Sequence, residues 1–401
     1  MKKTFVAVAV LGAFAGSAMA ADVTLYGKID LGLQYQHLDN GTTETDQFKE
    51  TSGQNSGSRF GLKGTEDLGN GYKVGFVLEN GFSADDGKMG QGSRLFGREA
   101  QMNLSGDFGT LGFGRMGGLS SGLGSFNMNS FMAMSTGWGD QASKLSNFGL
   151  NRDRYDNSIV YRTPSFAGFQ VAAQYSFKMD GQEEVHTRAN QRYAALGATY
   201  KNGPFAAGLI VDSIFNTNTA KETNTEDTLG VTLGASYDFE VVKVFGMAQY
   251  GQNENKFGAL KNRGYVAYSM ESDNEAAASR KTVYTQDEGV TGYMLQLGVT
   301  APVLGGTAYA TVNYTDAETD SDNVLKKVAN GNFTAADKAT RDIGSQDFTG
   351  YGVAVGYTYP FSKRTYVYTY AGYNELKTEE ANRADVKEKN TEFGFGMVHN
   401  F

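Results

Sequence analysis

Lys28, Asp30, Arg59 and Lys63 share the polar register of two segments in which every second residue is apolar. Leu25 and Ile29 flank the first pair, and Phe60 and Leu62 flank the second. Successive side chains of a strand point to opposite faces, so these four charges project from one face. Arg154, Asp156 and Arg162 do the same if Ile159 and Tyr161 take the other face. Arg115 ends another alternating run and is placed to reach that face from the base of a long segment, 117–155, that holds Asp140 and Asp153. Guanidinium, ammonium and carboxylate groups gathered this way attract, orient or reject charged and dipolar solutes; they break no bond.

The patterns that would signal a reaction fail on inspection. Gly112-x-Gly114-x-x-Gly117 has dinucleotide-fingerprint spacing, but it leads into a loop and nothing nearby reads as a βαβ unit. His37, His186 and His399 are scattered, without metal-ligand spacing. No nucleophile elbow accompanies the Ser, His and Asp residues. No enzyme, cofactor or metal is therefore expected.

These charges must be carried by strands. The 401 residues include 52 Gly, 49 Tyr and Phe together, 4 Pro and no Cys. Aromatic-rich, Pro-poor composition suits a sheet, whose ladder needs the N–H that Pro lacks. Alternation recurs at Val23–Tyr35, Phe169–Phe177, Leu229–Tyr237, Tyr351–Tyr359 and Phe393–Phe401. Opposite the apolar series 351–359 stand Gly350, Gly352, Ala354, Gly356 and Thr358, a small and polar face. Seven short turns, at 67–71, 106–110, 164–168, 201–204, 238–241, 301–306 and 360–363, alternate with eight longer polar segments. The longer segments are 38–55, 84–93, 117–155, 179–189, 216–227, 253–288, 316–346 and 376–390. Fifteen connections define about sixteen strands, most near the ~9–11 residues that a tilted membrane-crossing strand needs. A sheet in lipid must close, because an open edge leaves unmet N–H and C=O groups. The first strand is thus expected to pair with the last, and the chain reads as all-β, a transmembrane antiparallel β-barrel.

Lys2 and Lys3, the apolar stretch 5–14 and Ala18-Met19-Ala20 have the layout of a secretory signal peptide. Residues 1–20 are expected to be removed, leaving 21–401 as a single barrel domain. Without Lys2 and Lys3, 34 basic face 44 acidic side chains, a charge of −10 that excludes nucleic acid as a partner. Tyr35, Tyr72, Tyr175, Tyr200, Tyr237, Tyr250, Tyr314 and Tyr359 sit near strand ends, as an interfacial girdle requires. Outer-loop acids such as Asp316, Glu318, Asp320, Asp322, Glu379 and Glu380 read first as solvated charge; divalent cations bridging to lipopolysaccharide are the weaker reading.

The sequence resembles the general diffusion porins of Gram-negative outer membranes. The resemblance rests on Asp22–Lys28, Gly57–Gly71, Leu104–Arg115, Asp156–Ile159 with Pro164, and the terminal Phe401. It implies a sixteen-stranded homotrimeric barrel whose third loop folds into the lumen as a constriction. It also implies that Phe401 and the last strand are recognised by the barrel-assembly machinery. Arg98 matches a basic constriction position of the family, although Leu95, Ala100 and Leu104 leave its own parity open. The Pro-Glu-Phe-Gly signature of the enteric branch is missing from 117–155, which leaves that loop's path undefined. The expected site is a basic wall of Arg59, Arg98, Arg154 and Lys28 facing acids on or near the third loop, with Asp140 and Asp153 as candidates. The function expected is passive diffusion of small hydrophilic solutes and ions across the outer membrane. The alternatives are a substrate-specific channel, whose mark would be an aromatic ladder that the sequence does not identify, with Tyr26 and Tyr366, Tyr368 and Tyr370 as its inward candidates, and a surface adhesin or structural barrel.

Overall fold

The computed structural model describes residues 23–134, 138, 149–150, 152–216, 227–254, 256–257, 260–261, 281–285, 289–319, 324–328, 341–342, 346–380 and 384–401. The expected leader, 1–20, lies outside the described residues.

Sixteen antiparallel strands close into one barrel. The first eight are β1 (Thr24–Asp39), β2 (Glu44–Ser52 and Arg59–Gly69), β3 (Tyr72–Gly81), β4 (Glu99–Gly106), β5 (Gly109–Gly117), β6 (Arg154–Arg162), β7 (Phe169–Ser176) and β8 (Arg192–Asn202). The second eight are β9 (Phe205–Phe215), β10 (Leu229–Asp238), β11 (Lys243–Glu254), β12 (Val290–Val303), β13 (Gly306–Thr319), β14 (Gln346–Pro360), β15 (Thr365–Glu380) and β16 (Val386–Asn400). Each strand pairs with its sequence neighbours, and β1 closes on β16 from Lys28↔Asn400 to Asp39↔Lys389. Gly27 and Phe401 seal the seam by exchanging backbone hydrogen bonds of 3.1 and 3.0 Å. The short hairpin Lys256–Phe257/Leu260–Lys261 and a sheet of Lys281–Thr285, Val324–Val328 and Arg341–Asp342 lie in the connections beyond the barrel.

Polarity runs opposite to that of a soluble protein. Leu295, Leu297 and Val299 of β12 are exposed on the outer surface, whereas Gln296 between the first two is 3% exposed. In β10, Leu229 and Leu233 face outward while Thr232 and Ser236 are buried. An apolar exterior with a polar interior suits lipid outside and water within. Aromatic pairs mark both ends of the apolar band. Tyr72–Phe108, Phe169–Tyr200, Tyr237–Phe239 and Tyr359–Phe361 lie at the short-turn end, with ring centroids 4.5–6.2 Å apart. Tyr35–Phe393, Tyr293–Tyr314 and Tyr351–Tyr373 lie at the other, 5.6–6.4 Å apart.

Three local expectations need revision. The first long segment, 38–55, is mostly strand: β1 and β2 pair on to Asp39↔Glu44 around a four-residue turn, 40–43. Its charged residues misled because a strand rising beyond the lipid is polar on both faces. The true interruption falls at 53–58, inside β2. Third, Ala100, Met102 and Leu104 share the face opposite Glu99 and Gln101, so β4 has a clean parity and Leu95 lies outside the strand.

Candidate functional site

The described residues of the third connection, 118–134, 138 and 149–150, pack against the inner face of the strands. Leu119, Phe126, Met128, Phe131, Ala133, Met134 and Trp138 are buried although this segment crosses a polar interior. They pack onto inward positions that lack a side chain: Phe126 on Gly112, Met128 on Gly197, Phe131 on Gly208 and Gly234, and Trp138 on Gly356. A Cβ at any of these glycines would collide with the seated side chain. The glycines of the inner face are thus a track for this loop, and its described parts lie along the inner wall.

Asp212 of β9 ties the two limbs of the loop together. Its Oδ2 accepts the Ser120 hydroxyl at 2.6 Å on the outgoing limb, and its Oδ1 accepts Arg152 Nε at 2.6 Å on the return. Arg152 also donates to both oxygens of Glu254 on β11, at 2.7 and 2.8 Å. The Arg152 side chain is 1% exposed. Burial opposes its charge, but the two carboxylates more than offset this and keep its pKa raised.

Facing the loop, Tyr26, Arg59, Lys63, Val77, Glu79, Arg98, Glu99 and Arg154 line a cavity of about 340 Å³ with Gly124 and Ser125 of the loop. Alternation sets Tyr26, Arg59, Lys63, Val77, Glu79 and Glu99 inward, with Leu25, Phe60, Leu62 and Met102 on the exposed face of the same strands. Arg98 precedes β4 and reaches the cavity through its bond to Glu79. Glu79 organises the group. It accepts Arg98 Nε at 2.6 Å and the Tyr26 hydroxyl at 3.0 Å, and Arg59 Nη1 stands 3.8 Å away. Lys63 lies 5.2 Å over the Tyr26 ring, and Ser125 N–H donates to Glu99 at 3.3 Å. Four cations therefore meet two carboxylates around this cavity.

The remaining expected residues divide. Lys28 lies beside the group, donating to Ser56 Oγ at 3.1 Å. Arg162 reaches the loop, donating to Ser125 O at 3.3 Å and lying 5.0 Å over Phe126. Arg115 and Asp156 pair with each other at 2.7 Å. Arg94 joins them, bonding Asp156 at 2.7 and 2.8 Å and also Asp180. The bonds to Asp156 raise the Arg94 pKa. A bulge between Gly114 and Met116, with Asn157 at φ 48°, breaks the alternation here and leaves both Tyr155 and Asp156 buried. Asp153 is 72% exposed beside Arg154, and Asp140 lies outside the described residues. The described residues 118–134 carry no charged side chain.

Sequence reading missed Glu79, Glu99, Arg152, Asp212 and Glu254. Val74, Phe76 and Leu78 on one face would have sent Glu79 inward, as Ala100, Met102 and Leu104 would have sent Glu99. The Arg152 cluster joins residues up to 102 positions apart and has no local signal. Tyr366, Tyr368 and Tyr370 do face inward, but Tyr368 and Tyr370 are 3% and 2% exposed. Their hydroxyls donate to Asp30 and Glu392, and Trp138 packs 6.4 Å from Tyr368. Tyr368 and Tyr370 are wall packing, and Tyr366 is half-buried beside them.

A closed barrel, apolar outside and polar within, with an infolded segment seated along its wall, is an outer-membrane channel for passive diffusion. The chain belongs to the Gram-negative porin family, whose model matches residues 7–380. It is 32% identical over 425 aligned positions to an outer membrane porin protein of Bordetella pertussis, covering 100% of both chains. It is 35% identical over 276 residues to outer membrane porin protein 32 of Delftia acidovorans, covering 66% of this chain and 74% of that one. Among solved structures it superposes on the anion-selective porin from Comamonas acidovorans with TM-score 0.61 and 24% identity, over 95% of this chain and 100% of that one. A Salmonella typhi OmpF structure gives 0.57 at 15% identity. At these identities the superpositions carry the fold alone.

Proposed function

We propose that the narrowed lumen prefers anions, and that Arg59, Lys63, Arg98 and Arg154, with Lys28 beside them, make the preference. The observation that carries this reading is the charge count around the cavity, four cations to two carboxylates. Glu79 engages Arg98 and approaches Arg59, while Lys63 is held over the Tyr26 ring. Fixed charge lining the narrowest section selects by sign, because a passing ion sheds part of its hydration there. Both carboxylates that line the cavity lie on the basic wall itself, and Asp140, the acid expected on the facing loop, lies outside the described residues. That a superposable porin carries the description anion-selective accords with this reading.

The chain works by diffusion alone and catalyses nothing. Residues 1–20 direct export and are removed, leaving 21–401 as the working barrel. The barrel assembles as a homotrimer. Phe401, whose ring covers Gly27 at the seam, serves the assembly machinery as a terminal signal. The outer-loop acids are solvated charge, and any link from them to lipopolysaccharide phosphates runs through bridging divalent cations. Neutralising Arg59 and Arg98 together (Arg59→Gln, Arg98→Gln) moves the zero-current potential in a salt gradient toward cations. An unchanged potential overturns the assignment.

A further inference from the structure

Leu31 pairs with Ser52 and Lys28 with Arg59, so Ile29 and Asp30 of β1 face the six residues 53–58 of β2. Four residues are in excess. An even excess keeps the side-chain alternation, which is why Arg59 and Lys63 still face inward. The extra chain folds onto the inner wall. Asp30, fully buried, accepts the backbone N–H of Asn55 at 2.8 Å and of Ser56 at 2.7 Å on Oδ2. Its Oδ1 accepts the Tyr368 hydroxyl at 2.6 Å, reaching in from β15. Tyr366 donates to Asn55 Oδ1 at 2.8 Å. Gly53 starts the fold at φ 78°, a conformation that favours glycine. Ser58 then returns the chain to the sheet, its hydroxyl accepting the Asp30 N–H at 3.0 Å.

This fold reaches the basic wall at one atom. Ser56 Oγ accepts Arg59 Nη2 at 2.8 Å and Lys28 Nζ at 3.1 Å. Gly57 leaves room for Arg98, whose Nη1 would stand 3.1 Å from a Cβ there. We propose that residues 53–58 form a second lip of the constriction, opposite in origin to the third loop, and that Asp30 is its positioning residue. The lip narrows the lumen and, through Ser56, fixes the direction of Arg59 and Lys28. The second half of this statement rests on the anion-preference reading above; the first half does not.

Three variants of the full chain test it, each first shown folded by heat-modifiable gel mobility. Deleting residues 54–57 leaves two residues opposite Ile29 and Asp30 and restores continuous pairing. Asp30→Ala removes the seat of the lip. Asp30→Asn keeps it without charge, since Oδ1 can take both N–H groups while Nδ2 donates to Tyr368 Oη. At about 1 M salt, where fixed charges are screened within ~3 Å, single-channel conductance reports width. The deletion and Asp30→Ala raise it by roughly 1.5-fold, while Asp30→Asn stays at the parent value. Parental conductance in the deletion variant overturns the lip, and does so even if Asp30→Ala fails to fold. A rise in Asp30→Asn equal to that in Asp30→Ala overturns the positioning role. If Arg59→Gln leaves the zero-current potential unmoved while the deletion still widens the pore, the selectivity reading fails and the lip stands.

Discussion

At the scale of the residue, the molecule depends on a few charges whose partners are fixed by geometry. Arg152 is the sharpest case, because Asp212 and Glu254 are buried with it. Arg152→Ala leaves two carboxylates without their cation in a closed environment, a loss of roughly 3–5 kcal/mol for a broken buried pair. The expected result is a lower midpoint in urea-induced loss of heat-modifiable mobility; an unchanged midpoint would mean that water already serves the carboxylates. Arg115, Asp156 and Arg94 form a second such knot, so Arg115→Gln should disturb stability more than ion preference. Parity in the sequence revealed Lys28, Arg59, Lys63, Arg154 and Arg162, because a two-residue period reads straight onto two faces. It held Glu79 and Glu99 too, once their outward neighbours are separated from the loop residue Leu95. The Arg152 cluster was illegible, since it depends on which strands the third loop crosses.

At the scale of the element, the third loop and the broken second strand shape the lumen. The loop's apolar side chains sit where β5, β8, β9, β10 and β14 present glycine. Gly234→Val would drive Phe131 from its seat, and the expected record is a noisy conductance with sublevels. A quiet, parental trace would show that the loop does not depend on that seat. The outer face tolerates less polarity than the inner: Leu297→Arg, on the exposed face of β12, should cost about 2–4 kcal/mol near the bilayer midplane. Strand count, short turns and closure were legible because period, turn residues and connection lengths all agree. The break at 53–58 was not, because its Gly, Ser and Asn residues look like any loop and its neighbours in 38–55 are equally polar. Only the pairing of Lys28 with Arg59 and of Leu31 with Ser52 reveals four surplus residues in mid-strand.

At the scale of the whole molecule, an acidic chain surrounds a cavity with a basic lining. The formal net charge is −8, yet the cavity between wall and loop carries a cationic surplus. Much of the negative charge lies in the connections, where water and salt screen it. Selectivity then follows from a handful of inward residues and not from the average. Guanidinium groups keep their charge far above neutrality, so ion preference should hold steady between about pH 6 and pH 9. A preference that collapsed within this range would point to titrating carboxylates or histidines as the selective groups. The most direct measurement is the zero-current potential of the refolded, folded-state-verified chain in a planar bilayer under a potassium chloride gradient. A chloride-to-potassium permeability ratio above one, carried by stepwise ohmic openings, is the predicted result; a ratio below one would contradict a basic wall as the element that selects.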